Sequence, residues 1–300
     1  MGQVFNDCRS NKATENISMK QLERRKRNRK SNFYYSFLLL PREKRQAVLT
    51  LYDFCRQTDD IIDNNDSVAR KSSALRDWKE IFIRSLNGER ITSPLGDLVS
   101  VVRKFKIPVE LCLELIDGVA MDLTKHRYRS FEELYLYCYR VGSTVGLMSI
   151  EIFGYRDSKS KQYAENLGIA LQLTNILRDI KSDVREGRIY LPQEDLAAFG
   201  YTEDCLERQV VNTQFESLIR FECERARSYF RLAQSHLSAT DLRTLYPAET
   251  MARIYKNILG QIERCPSDVW RRDVRVSSFS KLALAVRTWI EHKSKISYAI

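Results

Sequence analysis

Residues 174–192, TNILRDIKSDVREGRIYLP, place Asn175, Asp179 and Asp183 at successive intervals of four. On an α-helix, residues four apart are offset by about 40° around the axis, so these three oxygen-bearing side chains form a slightly slanting row. Gln172 falls in the same sector, and Ile176, Ile180 and Val184 make an apolar stripe beside it. An earlier stretch, TDDIID at 58–63, repeats the device: Asp59 and Asp63 are four apart, Asp60 is adjacent, and Arg56 stands about one turn before. Like charges at this spacing cost roughly a few tenths of a kcal/mol on an isolated helix, so stability alone gives no reason for either row. A solvated acidic face is the simplest reading of one such pair. Two pairs, each among isoleucines and valines rather than on a mixed Lys/Glu face, make a cation held between carboxylates as good a reading as a solvated face. Hard oxygen ligands without histidine or cysteine suit Mg²⁺, which is usually bound by one or two carboxylates together with substrate phosphates.

The rest of the chain is written in the same helical language. Only 11 Gly and 6 Pro punctuate 300 residues, and apolar residues recur at helical spacing, which predicts an all-α fold with short connections. Helices are expected over 41–64, 67–86, 94–105, 108–122, 159–186, 202–236, 247–265 and 280–293, with one long apolar segment over 131–153 opened by a capping box at Ser130 and Glu133. Within that segment, Gly142 and Gly146, with Ser143 and Thr144, leave little side-chain volume on one face; this permits close helix packing or room for a ligand, and packing is the better expectation. No solenoid repeat and no long linker divide the chain, so one domain is expected from 31 to 300.

Seven cysteines (8, 55, 112, 138, 205, 223, 265) are scattered without a C-x-x-C pair, as expected for reduced cytoplasmic thiols rather than a disulfide framework or a zinc site. No uninterrupted apolar window suits a membrane span or signal peptide. The net charge of +10 is uneven: seven Lys/Arg against Glu23 between residues 20 and 30 contribute +6 of it. Residues 1–30 therefore read as a basic, poorly ordered lead-in. Nucleic-acid binding is not expected, because the charge is not spread over a folded face. The lead-in, with amphipathic 282–290, instead suits peripheral contact with the anionic inner face of a membrane, salt-sensitive and lost on deleting residues 1–30.

TDDIID, followed more than a hundred residues later by QLTNILRDIKSDVREGRIYLP, resembles the squalene/phytoene synthase family. The likeness extends over about 31–287 and includes FYYSF (33–37), LYDFCRQTDDIID (51–63), YCYRVGSTVG (137–146) and PAETMARIYKNILGQIE (247–263). FYYSFLLLP, LMSIEIFGY and the C-terminal segments are most similar to bacterial presqualene diphosphate synthases of hopanoid pathways. The resemblance implies an isoprenoid (terpenoid) synthase fold, a single helical domain around a central cavity, and head-to-head joining of two farnesyl diphosphates, with loss of one diphosphate, to presqualene diphosphate.

Carried over position by position, the resemblance implies that Asp59, Asp63, Asn175, Asp179 and Asp183 hold Mg²⁺, for which Mn²⁺ is a substitute. Arg56 would bind phosphate directly. Phe33, Phe37, Tyr52, Val141, Gly146 and Gln172 match positions lining the prenyl cavity, Tyr255 matches a late aromatic facing the diphosphate, and Arg188 and Tyr190 lie in the matching GRIYLP turn. Tyr52, Tyr255 or the released pyrophosphate are the candidate proton acceptors. A late basic position falls at Arg271 or Arg272. NADPH is not expected, since the subgroup stops before reduction; downstream enzymes of the same pathway are natural partners. The competing expectations are a phytoene, squalene or dehydrosqualene synthase and, in another class, a non-catalytic scaffold of the same fold, which should have lost acidic ligands that are all present here. The histidines 126, 236 and 292 match nothing catalytic.

Overall fold

The computed structural model describes residues 32–89 and 94–294; the basic lead-in lies outside the described residues. The helices are α1 (Asn32–Phe37), α2 (Arg42–Ile62), α3 (Val68–Leu86), α4 (Pro94–Phe105), α5 (Val109–Met121), α6 (Phe131–Cys138) and α7 (Thr144–Phe153), followed by α8 (Lys159–Arg185), α9 (Gln193–Ala198), α10 (Glu203–Glu207), α11 (Thr213–His236), α12 (Leu242–Arg264), α13 (Asp268–Arg271) and α14 (Ser278–Ser294). No named strand occurs among the described residues; Arg127 and Ile189 form an isolated parallel bridge.

Local chemistry sets several boundaries. Ser67 caps α3 by accepting from the Arg70 amide, and Ser130 caps α6 by accepting from the Glu133 amide. The reciprocal half of the expected capping box is displaced by one residue, since Glu133 accepts from the Arg129 amide at 3.1 Å. The long segment 131–153 is not one regular helix: residues Tyr139–Ser143 form a π-helical turn between α6 and α7, a departure that often accompanies a functional site. The expected helix over 202–236 is two, α10 and α11, separated at 208–212, where Gln209 takes φ 55°. Helix α12 begins at Leu242 rather than at Pro247, which lies inside it.

Helix α8 is the hub, packed by α6, the π turn, α7, α11, α12 and α13, while α2 packs against α3, α4, α5 and α7. Helix α7 thus touches both helices that carry the acidic rows. The π turn approaches α8 so closely that side chains are excluded. A Cβ on Gly168 would fall 2.4 Å from Ser143 Cα, and one on Gly142 would fall 2.6 Å from the Gly168 carbonyl oxygen. The small residues therefore serve packing, and they fix the distance between these helices. One continuous apolar cluster runs from Phe37 to Val276 and includes the stripe residues Ile176 and Ile180.

Candidate active site

A cavity of about 1050 Å³ opens between α1, α2, the π turn, α7, α8 and α12. Phe33, Phe37, Tyr52, Arg56, Asp59 and Val141 line it. So do Gly146, Gln172, Asn175, Asp179 and Tyr255. Gly146 has a packing role as well, since its absent Cβ would lie 2.6 Å from the Ala164 carbonyl oxygen. Both late arginines, Arg271 and Arg272, face the same cavity. Its apolar lining is aliphatic (Leu51, Ile150, Leu167 and Leu171 among others) with one aromatic cluster: Phe33 lies 5.5 Å from Tyr52 and 6.1 Å from Phe37, which in turn lies 6.0 Å from Phe153, centroid to centroid.

Asp63, Asp183, Arg188 and Tyr190 lie outside this lining and gather around Asp122, which motif spacing did not single out. The turn that brings Arg188 there follows from one glycine. After α8, Gly187 takes φ 78°, the Gly187 amide donates to the Val184 carbonyl, and the Arg188 amide donates to the Asp183 carbonyl at 2.8 Å. This is a glycine-dependent helix stop that folds Arg188 back over the last turn. Its guanidinium then sits 3.7 Å from Asp122 and 3.9 Å from Asp63 and also pairs with Glu186. Asp122 accepts from the hydroxyls of Tyr190 at 2.8 Å and Tyr137 at 3.0 Å. An acid just past the end of α5 opposes that helix's dipole and is a signal that something cationic waits nearby.

The electrostatics show that the two rows share one field. Burial pushes the Asp59 carboxyl up to about 7, with Asp63 and Asp122 adding to the rise and Arg56 opposing it. Burial, then Asp179, pushes Asp183 up to about 8 against Arg188, and Asp122 contributes there too. Asp63 and Asp122 are raised as well, chiefly by burial. Carboxylates so placed are short of positive charge. Two arginines supply part of it: Arg178 grips Asp179 with two bonds of 2.8 and 2.6 Å, and Arg56 pairs with Asp60 at 3.3 Å.

The donor set fits a hard divalent cation. Asn175 donates to Gln172 at 3.2 Å, but its own Oδ1 is buried with no partner among the described residues, an arrangement that costs free energy unless something positive fills it. Among the described residues no group of three or more His, Cys, Asp or Glu is placed to hold a metal by itself. Mg²⁺ bound here would take waters and substrate phosphate oxygens to complete its shell.

The sequence profile of the squalene/phytoene synthase family matches residues 26–280. The 15-cis-phytoene synthase of Synechococcus elongatus is 37% identical over 262 residues, covering 83% of this chain and 85% of its own. The phytoene synthase of Arthrospira platensis is 38% identical over 263 residues, with the same coverage. Among solved structures, a ligand-bound dehydrosqualene synthase superposes with TM-score 0.72 at 27% identity, covering 89% of this chain and 92% of that one. The squalene synthase HpnC of Alicyclobacillus acidocaldarius does so with TM-score 0.72 at 29% identity, covering 78% and 88%. With its isoprenoid-synthase fold and its paired acidic rows, this chain belongs to the squalene/phytoene synthase family.

Proposed function

We propose that this chain joins two farnesyl diphosphates head to head to give presqualene diphosphate and one pyrophosphate. The observation that carries the reading is that one aspartate of each acidic row, Asp59 and Asp179, lines the same cavity, with the buried Asn175 oxygen beside them left without a partner. Asp59, Asp63, Asn175, Asp179 and Asp183 are the residues that would hold Mg²⁺. When bound, the metal supplies neutralising charge to the departing diphosphate.

The chain's own groups do the rest. Arg56, Arg188 and one of Arg271 and Arg272 hold phosphate oxygens through charge-assisted hydrogen bonds. Phe33, Phe37, Val141, Gly146 and Gln172 shape the space for the prenyl chains and keep water from the allylic cation formed when the C1–O bond of the donor breaks. Tyr52 and Tyr255 line that cavity, where an aromatic ring stabilises passing positive charge. The acceptor's double bond then attacks the cation, and proton loss closes the cyclopropane; the proton goes to a tyrosine oxygen or to the released pyrophosphate.

A second reading is favoured by the curated relatives, which are phytoene synthases at 37–38% identity: the same site acting on geranylgeranyl diphosphate and continuing past the cyclopropane. Incubation with each prenyl diphosphate and Mg²⁺, with and without NADPH, separates the two by product mass. A C30 diphosphate accumulating even with NADPH supports the first reading and a C40 hydrocarbon the second. Absence of product from either substrate would leave a non-catalytic scaffold.

A further inference from the structure

Helix α14 buries polar side chains and exposes apolar ones. Its least accessible residues are Lys281, Ala285, Thr288 and His292, flanked by Leu284 and Trp289, half-buried against the core. Its outward face carries Phe279, Leu282, Val286 and Ile290, exposed by 81, 43, 38 and 52%. A surface helix ordinarily does the opposite. The orientation is anchored: His292 Nδ1 donates to the Leu242 carbonyl at 2.5 Å, and Lys281 sits 5.6 Å from the Tyr35 ring and faces the cavity. Rotating the apolar stripe inward would break these contacts, so the stripe stays out, as a contiguous patch of the kind that marks a contact surface.

The patch is edged by cations. Arg287 lies to one side, and Lys293, stacked 4.1 Å from the Trp289 ring, lies along the other. The acid of this helix, Glu291, is already engaged by Arg253 and Arg287. Helix α1, which begins at Asn32, packs against α14, and in the sequence the basic run 20–30 immediately precedes it. A second copy of the chain docking face to face would set these cations against one another, which disfavours that occupant. Apolar side chains between cations, next to a polybasic segment, match an anionic lipid surface.

We infer that α14 lies on an anionic bilayer, with Phe279, Leu282, Val286 and Ile290 entering the acyl boundary and Arg287 and Lys293 meeting headgroups. The cavity, which Lys281 lines from the inward face of the same helix, then stands close above the membrane. Flotation of the full chain with vesicles tests this. The chain should float with phosphatidylcholine vesicles containing phosphatidylglycerol and stay behind with phosphatidylcholine alone. The double substitution Phe279→Ser with Ile290→Ser should reduce the bound fraction about ten-fold while leaving the helical spectrum and thermal midpoint unchanged. Arg287→Glu with Lys293→Glu should weaken binding to the anionic vesicles similarly. The inference is overturned if the unmodified chain does not float with phosphatidylglycerol vesicles, or if both double variants float as it does. A dimer in sedimentation that the Phe279/Ile290 variant dissociates would also overturn it and give the face to a second copy.

Discussion

Replacing Asp59 by Asn should abolish turnover and, without metal, make the protein more stable. In the folded chain the Asp59 carboxyl titrates at about 7 against an ordinary value of 3.8, because burial and the neighbouring acids Asp63 and Asp122 disfavour its charge. A carboxyl whose folded pKa is raised holds a proton that the unfolded chain has released. Stability is therefore lost as pH rises from about 4 to about 7, and the loss is complete at pH 8. One pKa unit is worth about 1.4 kcal/mol, so a shift of this size sets a ceiling of roughly 4 kcal/mol. The side chain is only half-buried, and solvent screening brings the expectation down to about 1–2 kcal/mol. Denaturant unfolding in the presence of a chelator, run at pH 4 and at pH 8, reads this directly. The Asn variant should gain at pH 8 and be level with the unmodified protein at pH 4. Added Mg²⁺ and pyrophosphate should then stabilise the unmodified protein and not the variant. A variant that is no more stable at pH 8, or whose gain is the same at both pH values, would refute the reasoning.

Three further outcomes follow from the geometry. Gly168→Ala should lower stability by about 1–3 kcal/mol in denaturant unfolding, because its Cβ meets the Ser143 backbone, which has nowhere to go; an unchanged midpoint would mean that the π turn yields. Glu291 is held down to about 2 by hydrogen bonds from Arg253 and then Arg287. The stability it contributes is present above pH 4.5 and lost as pH falls toward 2, so Glu291→Gln should flatten the acid limb of the unfolding profile at a neutral-pH loss of less than about 1 kcal/mol. Asp122→Asn removes an ionic partner of Arg188 and keeps an acceptor oxygen in place for one of the two tyrosine hydroxyls, Tyr190 or Tyr137. Turnover should fall by about ten-fold with a native circular dichroism spectrum, and an unaltered kcat would detach Asp122 from the site.

How much of this was legible in the sequence depended on whether the cause was local. Asp59 and Asp179 could be found because a helix maps a spacing of four onto one face. Gly142 and Gly146 could be read as packing residues because missing side chains leave only that or a void. Arg178 stood next to Asp179 in the quoted stretch, yet its grip on that carboxylate is a rotamer choice that no spacing encodes. Asp122 belongs to another helix end and meets Arg188 only through the Gly187 turn and the contacts of the Tyr128 segment with 189–193. The onset of α12 was placed too late because a proline suggests a helix start, whereas packing against α8, α11 and α14 carries this helix through Pro247. The 282–290 segment read correctly as amphipathic, but which face turns inward is decided by Leu242 and Tyr35, far away in the chain.

The central claim, that the two acidic rows work together with metal on prenyl diphosphate, is tested most directly by following pyrophosphate release from farnesyl diphosphate. The unmodified chain, Asp59→Asn and Asp179→Asn are each assayed with Mg²⁺ and with a chelator. The account predicts release by the unmodified chain with Mg²⁺ alone, one pyrophosphate for every two farnesyl diphosphates consumed, and none from either variant. Release that persists in the chelator, or proceeds at the unmodified rate in either variant, would contradict it.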